Sequence, residues 1–262
     1  MGMVTEAKMT RRLQGTVALV TGASSGIGEA TARALASEGA AVAVLARRRD
    51  RLEASATAIR AEGGTALPIE ADVTDPAQTS AAVSRVVAEL GRLDTLVNNA
   101  GLMLLGPVSD APEDEWERML SVNVRGVLLV TKAALPHLVR AAEDSPRRVA
   151  DVVNVSSTAG RVARPGAAVY SLTKFGLNAF TESLRREVLA KRVRVSVVEP
   201  GTVDTELSSH VRDGLREAVE RQTRSIERLR PDDIADAVTY IVTRDRRVSV
   251  NEILVRASEQ TW

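Results

Sequence analysis

The 262-residue chain has no cysteine, which excludes disulfides, thiolate nucleophiles and cysteine-based metal sites. Its two histidines, His137 and His210, stand far apart, outside any H-x-x-x-H or H-E-x-x-H spacing, so no metal site is expected. Aromatic residues are scarce at 2%, and only Tyr170 and Tyr240 are tyrosines, which sharpens the meaning of a tyrosine placed for chemistry. Neither sign of charge dominates: 35 Lys and Arg against 34 Asp and Glu leave a net +1. That balance gives no reason to expect a nucleic-acid or anionic membrane partner. No apolar run approaches the roughly 18 residues of a bilayer span. Residues 1–14 are polar and lack the apolar core of a signal peptide; they read as a loose extension on a cytoplasmic protein.

What is present is alternation. Short apolar runs at residues 16–21, 41–46, 65–71, 93–98, 149–155, 193–198 and 252–255 read as strands. Helical stretches fall between them, ending near residue 37, then over 50–62, 75–91, 113–142 with a break near Asn123, 168–191, and within 205–243. Asp75-Pro76 supplies an N-cap followed by a first-turn proline. Strand and helix in turn argue for parallel β with helical crossovers. The expected fold is α/β, a Rossmann-like doubly wound parallel sheet of about seven strands with helices on both faces. No repeat or linker interrupts residues 15–262, so one domain is expected.

The stretch 149–174 carries the chemistry. A β-branched run ends in Ser156-Ser157, and Tyr170 follows with Lys174 four positions later. On a helix that spacing puts phenol and ammonium on one face. A neighbouring ammonium favours tyrosinate and would draw the phenol down from about 10. With a serine hydroxyl brought from the strand end, the set could move a proton on and off a C–O group. Upstream, the first strand runs into Gly22-Ala23-Ser24-Ser25-Gly26-Ile27-Gly28. A glycine turn opening a helix lets backbone approach a pyrophosphate and offers free N–H groups and a positive dipole. The second strand ends in Ala46, where an NAD site usually carries an acid. Arg47-Arg48-Arg49 follow, and guanidinium forks suit a 2′-phosphate, so NADP is the expected cofactor, with Arg47 and Arg48 as phosphate ligands.

These residues resemble the short-chain dehydrogenase/reductase family. The glycine turn, Asn98-Asn99-Ala100-Gly101, Asn123 through Gly126, Ser157, Tyr170 with Lys174, and Pro200-Gly201 with Thr205 all match its order and spacing. Within the family, residues 101–108, 134–138 and 252–256 look like NADP-preferring clavulanate-aldehyde reductases and 3-hydroxy-acid dehydrogenases. The resemblance implies a carbonyl–alcohol oxidoreductase using NADP(H). Tyr170 would be general acid or base, and Lys174 would lower its pKa and bind the nicotinamide ribose. Ser157 would polarise the carbonyl, leaving Ser156 structural, and Asn123 would hold a water relaying protons to Lys174. Asp72 and Val73 would sit against the adenine, and Asn99, Ala100 and Gly101 along the adenosine. Pro200, Gly201, Thr202 and Thr205 would hold the nicotinamide end. A substrate lid is implied near residues 205–230, here strongly charged, and Leu102 to Leu105 would give the pocket an apolar wall. Arg161 and Arg164 fall near its mouth, where they could attract an acidic substrate or be solvated loop charges. A homotetramer or dimer through the long helices is also implied. An NAD-dependent alcohol or hydroxysteroid dehydrogenase and a non-catalytic NADP sensor are the alternatives.

Overall fold

The computed structural model describes residues 11–261. Among them, β1 (Val17–Thr21), β2 (Ala41–Ala46), β3 (Thr65–Glu70), β4 (Thr95–Asn98), β5 (Ala150–Val155), β6 (Val193–Pro200) and β7 (Glu252–Val255) form one sheet. Its order is β3-β2-β1-β4-β5-β6-β7, and every neighbouring pair is parallel. The chain builds outward from β1 to β3, then returns to the other side of β1 with β4. The direction of winding therefore reverses between β1 and β4, the place where open α/β sheets leave a crevice at the strand C-termini.

Period-two alternation sorts the strand side chains onto two faces. Ala18, Val20, Val42 and Val44 pack with Leu35, Leu52, Ile59, Ile234 and Val238, from α1 (Gly26–Ser37), α2 (Arg49–Ala61) and α8 (Pro231–Val242). Val17, Leu19, Ala43 and Leu45 pack instead with Val83, Val86, Val130, Leu138 and Leu184, from α3 (Pro76–Leu90), α5 (Val127–Asp144) and α6 (Ala168–Val188). The doubly wound reading of the sequence is what the structure shows. Asp75 caps α3 as expected, accepting from Ala77 N and Gln78 N at 2.8 and 3.0 Å.

Three differences from the sequence reading have local causes. The break expected near Asn123 is a π-helical segment, Ser121–Gly126, joining α4 (Glu113–Leu120) to α5 without interruption. The joined helix Glu113–Asp144 is long and apolar enough to cross a membrane by composition, although no single run in the sequence stands out. It is a core helix: Val127, Val130, Ala134, Leu138 and Ala141 are buried on its sheet side, while Arg125, Lys132 and Arg140 are exposed. The N-terminal extension also ends before residue 14. Residues 1–10 lie outside the described residues, but Leu13 is 1% exposed, which stabilises the fold by about 1.5–3 kcal/mol. Its N–H donates to Glu38 O at 2.9 Å, and Arg12 pairs with Glu38 at 2.9 Å. Lastly, β6 runs on to Pro200, two residues beyond the apolar pattern, because the buried Glu199 continues the pairing with β7.

Below the crevice a chain of buried amides and hydroxyls crosses the sheet centre. Asn98 of β4 pairs in register with Asn154 of β5. The Asn98 amide donates to Asn154 Oδ1 at 2.9 Å and to Thr131 Oγ1 of α5 at 3.0 Å. Asn154 in turn donates to Thr181 Oγ1 of α6 at 2.8 Å.

Candidate active site

The strand C-termini open onto a cavity of about 1150 Å³. At its β1–β4 crevice the backbone is crowded. Gly22 has φ +65°, and a Cβ there would come within 2.7 Å of Ala100 Cα. A Cβ on Gly28 would stand 2.4 Å from the Gly22 carbonyl oxygen. Only glycine fits these close approaches. Thr21 Oγ1 accepts from Asn99 N and Ala100 N at 3.0 and 3.1 Å, tying the two strand ends together. Ser25 is the N-cap of α1 but its side chain makes no cap bond, so the first-turn donors are left for another acceptor.

The expected residues converge on this one cavity. Its wall contains Gly22, Ser24, Ser25, Gly26 and Ile27; Arg47 and Arg48; Asp72 and Val73; and Asn99, Ala100 and Gly101. Ser157, Tyr170, Lys174, Pro200, Gly201, Thr202 and Thr205 continue it. Gly28 and Asn123 lie behind the wall rather than on it. Asn123, 1% exposed, accepts from Leu102 N and donates to Leu102 O, both at 2.8 Å, and reaches Thr173 Oγ1 at 3.2 Å. Its side-chain amide thus braces the loop after β4 against α6. A Cβ on Gly101 would lie 3.7 Å from Asn123 Oδ1 and 3.9 Å from Lys174 Nζ, so both border the same glycine.

At the inner end, Tyr170 and Lys174 are each 6% exposed on α6, and the ammonium sits 5.8 Å from the phenol ring centroid. Lys174 Nζ donates to Val155 O at 2.9 Å. The two serines separate by where their hydroxyls go. Ser156, 4% exposed, donates to Lys174 O at 3.4 Å inside the fold. Ser157 caps the turn Thr158–Gly160, accepting from Ala159 N at 3.1 Å, and its hydroxyl also draws the Tyr170 phenol downward.

The expected lowering of the phenol is corrected by the structure. Burial pushes Tyr170 up to about 12, outweighing the Ser157 hydrogen bond, and the same burial brings Lys174 down to about 8. The ammonium's hydrogen bond goes to a backbone carbonyl, and desolvation dominates both groups.

At the outer end Arg48 donates through Nε and NH2 to Ser24 Oγ at 3.2 and 3.0 Å, and through NH2 to Ser25 Oγ at 2.8 Å. Its NH1 meets Glu206 at 2.9 Å, and Arg51 meets the same carboxylate at 3.1 Å. The strand-end position carries no acid, as read from the sequence, yet an acid arrives from 158 residues away. His210 also lines the cavity, and burial with Arg118, Arg47 and Arg48 nearby lowers its pKa.

Arg161 does not serve the mouth. It pairs with the fully buried Glu199 at 2.7 Å and with Glu252, and those hydrogen bonds raise its pKa. Glu199 also accepts from Asn178 at 2.7 Å, and Asn178 donates to Gly160 O at 3.1 Å, so this carboxylate holds the serine-bearing turn to α6. Arg164 does line the cavity, with its pKa lowered by burial and by Arg256.

Leu102, Met103 and Leu105 form the apolar wall, while Leu104 turns into the cluster of Met119 and Trp116. Across from them come the short helix Glu206–His210 and α7 (Asp213–Thr223), with Leu207 and Leu215 on the cavity and Val211 and Ile226 buried. The side chain of Val219 lies outside the described residues. No sequence motif points to Gln260. It is 8% exposed, lines the cavity, and accepts from Thr202 N at 2.9 Å. A Cβ on Gly201 would stand 2.2 Å from its Oε1. Nothing local at residue 260 signals this, since the contact depends on how the last described residues fold back.

Comparison with known proteins agrees with this architecture. The family described as short chain dehydrogenase matches residues 16–216. An uncharacterised oxidoreductase of Staphylococcus saprophyticus is 36% identical over 249 residues, 94% of this chain and 97% of that protein. A metagenomic short-chain oxidoreductase solved in complex with NADP is 35% identical, with a TM-score of 0.78 over 94% of this chain and 99% of that one. A 3-ketoacyl-(acyl-carrier-protein) reductase of Brucella melitensis solved with NADH is 31% identical, with a TM-score of 0.81 over 93% and 97%.

Proposed function

The chain is an oxidoreductase of the short-chain dehydrogenase family, and from that premise we propose that it reduces a carbonyl compound to an alcohol with NADPH, with Tyr170 as the proton donor. The observation that carries the reading is the coexistence, in one cavity, of a buried phenol with its serine and lysine and of a glycine cradle with a basic outer end.

The residues fit a dinucleotide. Gly22 and Gly28 leave the room that a Cβ would fill, and the α1 N-terminus offers donors for a pyrophosphate. Asp72 and Val73, with Asn99, Ala100 and Gly101, would border the adenosine, and Pro200, Gly201, Thr202 and Thr205 the nicotinamide end. Ala46 leaves the strand end without an acid, and Arg47 and Arg48 would meet a 2′-phosphate. When bound, NADPH supplies the hydride.

The chain's own residues supply the proton and its control. A phenol pushed up to about 12 stays protonated at neutral pH, the state in which it would donate to a carbonyl oxygen. Ser157 sits against the phenol and would hold the carbonyl oxygen beside it. Lys174, brought down to about 8, remains mostly cationic at pH 7 and would stabilise the tyrosinate left after donation. The apolar wall of Leu102, Met103 and Leu105 together with Arg164 supports a substrate with an apolar part and an anionic group. Leu128, Leu172 and Phe175, exposed on α5 and α6, support association of copies through these helices.

The test is loss of NADPH absorbance with a panel of aldehydes and ketones, acidic ones included, with NADH in parallel. Turnover with NADPH is expected. Tight NADPH binding with no turnover on any carbonyl would favour the sensor reading instead.

A further inference from the structure

We propose that Glu206 is a cofactor-selectivity residue, whose carboxylate occupies the Arg48 guanidinium that a 2′-phosphate would otherwise take and so moderates the preference for the phosphorylated dinucleotide. The inference rests on the assignment of Arg48 to the 2′-phosphate and deepens it.

Every nitrogen of the Arg48 fork is already engaged. Nε and NH2 are engaged by the neutral hydroxyls of Ser24 and Ser25, and both serines belong to the glycine turn. The anionic partner of the fork is Glu206, at 2.9 Å on NH1. Arg51 grips the other carboxylate oxygen at 3.1 Å. A carboxylate between two guanidiniums is chemically what a phosphate monoester would be in the same place, with one negative charge in place of about two. A dinucleotide with a 2′-phosphate must displace Glu206 from Arg48 or share the fork with it. One with a plain 2′-hydroxyl can leave the ion pair standing. The pair therefore taxes one ligand and spares the other.

The geometry also makes the exchange feasible. Arg48 and Glu206 leave 44% and 46% of their side chains exposed, so the pair is screened and worth little by itself. Arg51 keeps a hold on Glu206 when Arg48 turns to a phosphate. Glu206 opens the short helix Glu206–His210 directly after Thr205, and Leu207 and Ser208 of that helix line the cavity. The carboxylate thus stands on the segment that leads from the nicotinamide loop to the substrate side.

The experiment is calorimetric titration of the full chain with NADPH, NADH and adenosine 2′,5′-bisphosphate, none of which requires turnover. Wild type, Glu206→Gln, Arg48→Ala and the double variant are compared; both sites are exposed, so the core is untouched. Glu206→Gln is expected to tighten NADPH and the bisphosphate by about fivefold, with NADH changed less than about twofold. In the Arg48→Ala background the same substitution should change the NADPH-to-NADH ratio by less than about twofold, since only Arg51 is then released; an undiminished effect there would overturn the route through Arg48. If Glu206→Gln leaves the ratio unchanged or lowers it while Arg48→Ala weakens NADPH selectively, the inference is overturned and the 2′-phosphate assignment stands. Equal weakening of NADPH and NADH by Arg48→Ala would remove the assignment and the inference together.

Discussion

At the inner end of the cavity Tyr170 and Lys174 each expose 6% of their surface; at the outer end Arg48 and Glu206 leave 44% and 46% of their side chains in solvent. Few charges stand at the inner end and burial governs them, moving the phenol up to about 12 and the amine down to about 8. At the outer end arginines and a carboxylate crowd together in water, where each pair contributes little and salt weakens it. One cleft thus works in two dielectric settings. On the proposed function, chemistry would be concentrated in a few desolvated groups and recognition spread over many solvated ones. A single substitution should be severe at the inner end and graded at the outer.

The sharpest way to break that contrast is Tyr170→Phe. Removing the one donor should lower kcat by about 10²–10⁴-fold while NADPH binding, read by calorimetry, stays near the wild-type value. A loss below tenfold would mean that the buried phenol is not the donor. Next in size is the pH dependence of reduction. A phenol at about 12 remains protonated across the working range, so it cannot produce an alkaline limb near neutrality. Lys174, lowered to about 8, loses its charge as pH rises through that value. The rate should therefore fall by about tenfold per pH unit above it. Lys174→Arg, with a group that stays charged, should carry the limb upward; a limb that stays near 8 in this variant would move the assignment elsewhere. The smallest effect is expected from salt. Raising ionic strength from about 0.1 M to about 1 M shortens the screening length from ~10 Å to ~3 Å. That should weaken NADPH binding several-fold through the arginines and leave kcat nearly unchanged. A comparable fall in kcat would show that the inner end is not as dry as its burial implies.

Much of this was legible along the chain because it is local. The β-branched runs mark strands, the Asp75-Pro76 cap opens α3, and the four-residue spacing of Tyr170 and Lys174 sets them on one helix face. The glycines of the first turn are demanded by a close backbone approach, and their spacing shows in the sequence. What stayed hidden depends on closure of the whole fold. Glu206 meets Arg48 across 158 residues, and Gln260 meets Thr202 across 58. Arg161 looked like a mouth residue because it lies between Ser157 and Tyr170, yet the buried Glu199 claims it. The four-residue spacing points the Tyr170 shift the wrong way for the same reason. Spacing shows that an ammonium is near, but only the packed structure shows how little water reaches the phenol.

The amides beneath the crevice bear on folding fidelity. Strands such as β4 and β5 are short and rich in Val and Leu, so a slipped pairing could bury nearly as much apolar surface as the native one. Asn98 and Asn154 remove that freedom. A slip by one residue would turn one amide to the opposite face of the sheet and strand its partner in the interior, at about 1–3 kcal/mol for each unmet group. In the native registry β4, β5, α5 and α6 share one set of hydrogen bonds, with Asn98 Oδ1 left as its unpaired acceptor. The strand ends that border the cavity are thus held level by the same amides that set the register of β4 on β5.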